Sequence, residues 1–412
     1  MARSLQRWLS FSFFNLLLVA ALGCILRYKI AYSLPLVDQK FLLNAHSHFA
    51  FSGWVTQSLM TLMVQYLSEK MLTSQFPKYR RILWLNAISA YGMLFTFPFE
   101  GYATASIIFS TASLFAGYLF AFTFWKDLRK AANSSVETKF FKAALFFNIL
   151  SSLGPYTLAF LMATKSSFQN LYVAAIYFFL HFQYNGWFLF ACMGLVAYRL
   201  SVNEIAKQKL TVVFYLFASA CLPAYFLSAL WIPMPEAVYI IVALAAIAQL
   251  SGWIIMLSIM KAHFAVFKFY PNSLCRILFL LSGIAYTIKL LLQVASAIPS
   301  LSYLTYGFRP IVIGYLHLVL LGVVSLFITT YSIAYQYIYL SGIKKAGVII
   351  FVAGIVINEI FLMIQGIADL SYRAVPYINE ELLAAAVILF AGLLLLNFRG
   401  IIRNGSAQRL NG

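Results

Sequence analysis

Only five of the 412 residues are histidine, and three of them open the same pattern. His48, His181 and His317 each begin H-x4-G, in "HFAFSG" at 48–53, "HFQYNG" at 181–186 and "HLVLLG" at 317–322. A tryptophan follows the glycine directly in the first two, as Trp54 and Trp187. The separations of 133 and 136 residues are each close to one third of the chain. Imidazole takes and gives protons near neutrality and ligates iron, copper and zinc. Zinc and di-iron centres draw on thiolates or carboxylates, and none stands near these histidines. Two neutral imidazoles offered by facing helices suit the axial positions of a haem.

The elements that must position these rings are set by composition. With 63% hydrophobic and 10% charged residues and a mean hydropathy of +0.87, the chain belongs in a bilayer rather than in water. Runs long enough to cross roughly 30 Å of hydrocarbon fall at 8–26, 42–66, 82–99, 102–125, 141–163, 170–198, 210–231, 237–260, 274–298, 310–333, 346–369 and 381–398. In lipid every backbone N–H and C=O must be satisfied within its own segment, so these runs are helices. The expected fold is an all-α polytopic membrane protein, a single domain over 1–412. Its twelve helices form a pseudo-threefold arrangement of three four-helix units, approximately 1–135, 136–270 and 271–412. The histidines then sit on the second, sixth and tenth helices. The first run, with Arg3 and Arg7 before it and no clean cleavage site after it, reads as a retained helix rather than a signal peptide.

A formal net charge of +18 raises nucleic acid as a partner, and its distribution removes it. With the N-terminus inside, cytoplasmic segments hold 22 of the 29 Lys and Arg, including "KYRR" at 78–81 and "KDLRK" at 126–130. The opposite loops hold Arg27, Lys29, Lys40, Lys165, Arg309 and Arg373, and Lys289 lies within a helix. This is the positive-inside bias of a membrane protein with both termini cytoplasmic, and the expected compartment is a bacterial inner membrane. The helices bearing the motif enter from the outer face, which puts all three histidines in the outer half. Cys24, Cys192, Cys221 and Cys275 are scattered without a CxxC spacing and imply neither disulfide nor zinc.

His46 stands two residues before His48, about 200° away on an α-helix, so only one of the two can face a given site. The repeat selects His48, and His46 is read as capping or touching a neighbour, with a second ligand as the alternative. The motif glycine, about 140° round from its histidine, reads as a close-packing position between helices.

Twelve helices, both ends cytoplasmic, a threefold repeat and histidines on helices two, six and ten resemble subunit I of the haem-copper oxidase and nitric-oxide reductase superfamily. The resemblance covers the whole chain in topology and only short motifs in residues. It implies that His48, on helix two, and His317, in "YLHLVLLG" on helix ten, clamp one low-spin haem b. It also implies that Arg309 and Arg373, in outer loops, pair with the propionates. The departures bear on activity. The high-spin ligand position on helix ten is Tyr315, and helix seven, "LTVVFYLFASACLPAYFLSALW", has no histidine where the family has a copper-holding pair. His181, followed by Tyr184, keeps the position of the remaining copper ligand. Copper is not expected, and the oxygen-reducing centre reads as lost.

The expected function is therefore haem b binding in the membrane with an electron-transfer or accessory role, beside a quinol or partner subunits. Whether the chain is an enzyme stays open: a divergent oxygen or nitric-oxide reductase using His181 as a metal ligand is one alternative. A secondary transporter without haem is another, although transporters favour paired rather than threefold repeats. Lys289 and Glu359 are the charged residues deep in helices and read as a structural ion pair or a polar path. Glu100 reads as solvated, and His263 as a surface residue.

Overall fold

The computed structural model describes residues 2–131, 135–232, 234–263, 273–298, 301, 308–340 and 342–398. Among them there is no strand. Nine stretches of the described residues are long and apolar enough to cross a membrane: Arg3–Ala31, Phe76–Glu100, Thr104–Ala131, Val136–Ala163, Glu236–Ala262, Ser273–Ala295, Arg309–Ala334, Gly342–Leu370 and Ile378–Asn397. The protein is an all-helical integral membrane protein.

In chain order the helices are α1 (Ala2–Ala31), α2 (Gln39–Phe49), α3 (Gln57–Lys70), α4 (Phe76–Glu100), α5 (Thr104–Ala131), α6 (Val136–Ser151), α7 (Leu153–Ala163) and α8 (Gln169–His181). They continue with α9 (Leu189–Leu200), α10 (Glu204–Cys221), α11 (Glu236–Ala262), α12 (Ser273–Ala295), α13 (Arg309–His317), α14 (Leu326–Ala334), α15 (Gly342–Leu370) and α16 (Ile378–Asn397). Local chemistry sets the breaks. Gly101, at φ +60°, ends α4, a conformation that costs glycine least. Glu100 then accepts the Ser106 N–H at 2.6 Å and caps the start of α5, rather than standing free in solvent. Pro223 ends α10 and opens a short 3-10 turn, Pro223–Ser228.

Three π-helical segments join otherwise separate helices: Ala50–Thr56 between α2 and α3, Phe182–Phe188 between α8 and α9, and Leu318–Ser325 between α13 and α14. Each lies on one copy of the H-x4-G pattern. A π turn misaligns the backbone ladder, and in a membrane interior the loosened carbonyls need other donors. Polar side chains of flanking helices provide them. Asn15 of α1 donates to Gly53 O at 2.6 Å and Asn86 of α4 to Ser52 O at 3.0 Å. The Cys221 thiol of α10 reaches Asn185 O at 3.8 Å, and Ser282 of α12 donates to Val323 O at 2.9 Å.

The three π-bearing rods form the centre. Every residue from 51 to 68, from 181 to 195 and from 322 to 334 is buried. Such rods meet protein on all sides, so they tolerate Gln57, Thr61, Gln65, Gln183, Asn185, Thr329 and Thr330 in their interior. That is why 39–70 and 169–200 fall short of the apolarity that marks the nine stretches above. The motif glycines are packing positions: a Cβ on Gly186 would stand 2.5 Å from Phe147 Cβ, one on Gly322 3.1 Å from Ala285 Cβ, and one on Gly53 2.7 Å from the Phe49 ring. The other helices surround this centre, and the first, α1, packs along the last, α16, with Asn397 donating to Phe13 O at 3.1 Å.

Candidate functional site

Two imidazoles are held alike by different helices. His46 of α2 meets Val19 O of α1 through Nδ1 at 3.1 Å. His317, at the end of α13, meets Ile313 O through Nδ1 at 2.8 Å. A carbonyl oxygen only accepts, so in both rings Nδ1 carries the hydrogen and, in the neutral imidazole, Nε2 holds a bare lone pair. Among the described residues neither Nε2 has a hydrogen-bond partner. The rings lie within electrostatic range of each other and of Arg27, and Arg27 in turn interacts with Glu359 of α15. Gly23 lies against the His46 ring, since a Cβ there would stand 3.4 Å from Cε1, at ordinary contact distance. An imidazole with Nδ1–H tied to a carbonyl and Nε2 bare is oriented for a metal.

His48 is placed differently. Its Nε2 lies 2.7 Å from the Tyr102 hydroxyl, and its ring stacks on Phe97 of α4 at 4.6 Å and 16°. The two-residue spacing does send His46 and His48 to different neighbours, α1 and α4, and it is His46 that lies within electrostatic range of His317. Phe51 packs on Phe179 and Phe188, toward the α8–α9 rod.

Arg309 and Arg373 are both exposed. Their segments meet, since the adjacent Phe308 and Tyr372 are in edge contact at 5.8 Å. Val19, Gly23 and Arg27 are spaced i, i+4, i+8 and therefore share one face of α1. A small residue and a cation in line on the first apolar helix are the signal that points to Gly23 and Arg27 from sequence.

A second polar cluster surrounds His181, which is 1% exposed. Its Nε2 donates to Cys221 O at 2.9 Å, and its Nδ1 accepts from Asn185 Nδ2 at 3.1 Å, so both ring nitrogens are engaged. Tyr184 lies 6.3 Å from the His181 ring and 6.1 Å from Tyr315. Lys289, also 1% exposed, donates to Gln293, which donates to Gln249 at 2.8 Å. Its ammonium stands 5.7 Å from the Tyr286 ring centre and within electrostatic range of His181 and Cys221. Lys289 and Glu359 do not pair: Glu359 accepts from Asn358 at 3.3 Å.

At the other end of the central rods, Arg199 ties all three together. It donates to Glu69 at 3.1 Å, to Tyr331 at 3.1 Å and to Tyr337 at 3.2 Å, and its guanidinium lies 4.0 Å over the Tyr335 ring. Tyr337 donates to Glu69 at 2.5 Å, and burial, then the neighbouring Tyr331 and Glu69, pushes its phenol above the ordinary range. His263 caps the end of α11 through its backbone N–H, which reaches Ile259 O at 2.9 Å.

Compared with known proteins, the sequence matches no family model and no curated protein.

Proposed function

We propose that this protein is a membrane haem b protein whose iron is held by His46 and His317. The observation that carries the reading is the shared state of these two rings: each comes from a different rod, each is tied through Nδ1 to a carbonyl, and each leaves Nε2 without a partner among the described residues. The donor set fits a porphyrin iron, which takes two neutral imidazoles in an apolar setting. It does not suit a structural zinc, which wants four ligands. His46 takes the place that the repeat gives to His48, because His48 Nε2 already lies against the Tyr102 hydroxyl. A bis-imidazole haem supplies one-electron transfer. Arg27 supplies a cation beside both rings, while Arg309 and Arg373 remain the candidates for the propionates at the exposed edge.

The reading carries with it twelve spans and both termini in the cytoplasm of a bacterial inner membrane. Supporting it are the helical runs 39–70, 169–200 and 204–228 beside the nine apolar stretches, the one-sided Lys and Arg, a π segment on each copy of the motif, and the meeting of α1 with α16. These same features favour a threefold set of four-helix units and a relationship to the haem-copper oxidase superfamily. His181 uses both nitrogens within the protein, which favours an electron-transfer or accessory role, beside quinol or partner subunits, over a copper-dependent reductase.

The test is a visible spectrum of the purified protein. A six-coordinate low-spin haem signature that disappears in His46→Ala and in His317→Ala, and persists in His48→Ala, is the expected result. Loss with His48→Ala and persistence with His46→Ala would return the ligand to His48. Absence of any Soret band after expression with added haem would end the haem reading and leave the transporter.

A further inference from the structure

Counted from the motif glycine, the three central rods are joined on two of their three sides by one rule. Trp187, one residue after Gly186, donates through Nε1 to the hydroxyl of Thr56, three residues after Gly53, at 3.2 Å. Trp54, one residue after Gly53, donates to the hydroxyl of Ser325, three residues after Gly322, at 2.8 Å. The α8–α9 rod thus reaches the α2–α3 rod, and the α2–α3 rod reaches the α13–α14 rod. By the same count the third side would join residue 323 to residue 189. These are Val323 and Leu189, and they have neither an indole nor a hydroxyl.

A cavity of about 70 Å³ lies on that third side, with Val323 and Leu189 both in its wall. Trp253, Met256, Phe279 and Tyr286 line it further. From Phe279 to Tyr286 its α12 wall spans seven residues, about 10 Å at the helical rise. The lining has no charged group. Ser282 is satisfied by Val323 O, and the Tyr286 hydroxyl has no hydrogen-bond partner. Gly283 leaves its part of the wall open, since a Cβ there would meet only Trp253, at 4.0 Å. The mouth lies where Met260, Phe279 and Gly283 are partly exposed. It is flanked by Ile254, Leu280 and Ile284, which are 60%, 63% and 46% exposed on membrane-spanning helices. The cavity is therefore continuous with the surface that faces lipid.

We infer that this cleft holds the terminal segment of one phospholipid acyl chain, which fills the place that tryptophan occupies on the other two sides. An apolar cleft of this size left empty forfeits dispersion contacts on every wall, and apolar cavities take apolar guests rather than water. Hydrocarbon is the material at its mouth. The inference is independent of haem, since none of the four histidines of the described spans and clusters lines the cleft.

The test uses the full-length protein in nanodiscs made only of phospholipids brominated near the chain ends, compared with unbrominated lipid. Bromine quenches indole on contact, and Trp253, 7% exposed, is reachable through the cleft. The Trp253 contribution, taken as the difference between the wild type and Trp253→Phe, should be lost in brominated lipid. It should return in Gly283→Leu and in Val323→Phe, which fill the cleft from opposite walls. If one filled variant does not assemble, the other gives the same reading. Trp253 emission that is equal in the two lipids, or quenched as fully in a filled variant, would overturn the inference. So would an isoprenoid, rather than an acyl chain, found retained in the cleft and blocking the quenching.

Discussion

Gly23 allows the proposed haem ligation by His46 to be tested without touching a histidine. Its absent side chain faces His46, with a Cβ 3.4 Å from Cε1. Gly23→Ala places a methyl at ordinary contact distance and favours the helix by about 0.5–1 kcal/mol, so ring and fold should both survive. Gly23→Val adds γ-carbons roughly 1.5 Å further out, and a β-branched side chain in a helix is nearly fixed at χ1 and does not swing aside. The His46 ring must then leave Val19 O, breaking the 3.1 Å bond that orients it. Losing such an orienting partner costs roughly 10- to 100-fold in metal affinity, or about 1.4–2.7 kcal/mol. The assay is titration of the apoprotein with haem, followed at the Soret band, with circular dichroism as the folding control. The expected order is wild type equal to Gly23→Ala, with Gly23→Val weaker by that factor and partly high-spin. Gly23→Val with unchanged affinity and spectrum would refute the claim that α1 and His46 build the site.

His48→Ala should leave the haem spectrum intact and lower stability by about 1 kcal/mol, the loss of one hydrogen bond and its stacking, read from unfolding in mixed detergent. A shift of several kcal/mol would assign His48 a larger structural part. Arg199→Gln leaves Glu69 without its cation in a site where the two side chains are 20% and 22% exposed. The cost should approach about 3 kcal/mol, measured as the unfolding midpoint, and an unchanged midpoint would show that the tie is slack. Reporter fusions at each terminus should both read cytoplasmic, and an external signal from either would break the twelve-span topology.

The histidine triplet was legible because types and spacing survive in a string of letters: H-x4-G recurs three times, and each copy lies on a π segment. What each member of the His46/His48 pair touches was not legible: Val19 O beside His46 and the Tyr102 hydroxyl beside His48 come from other parts of the chain, and the spacing announces neither. Partners were invisible for a related reason. Asn15, Asn86 and Cys221 each serve a carbonyl between 36 and 38 residues away or, for Asn86, 34, and no local pattern announces such a pairing. Lys289 and Glu359 read as an ion pair or a polar path because both are charged and deep. The structure instead gives Lys289 a glutamine chain, and Glu359 the company of Arg27.

The buried polar lining of the central rods also bears on how the chain enters a bilayer. Residues 39–70 present Gln57, Ser58, Thr61, Gln65 and Ser68 on a segment that is protein-covered only when its neighbours are present. Thr61 and Ser68 donate to carbonyls of their own turn, but alone in lipid the Gln57 amide oxygen and the carbonyls of Ser52 and Gly53, which Asn86 and Asn15 serve, would face hydrocarbon, at several kcal/mol for each unsatisfied group. Asn15 reaches the π turn from α1, which is made before it, and Asn86 reaches it from α4, which is made after it. The last of these donors exists only once the chain has been synthesised past residue 86. Satisfying this segment in the bilayer is therefore coupled to helices made both before and after it, rather than completed one span at a time.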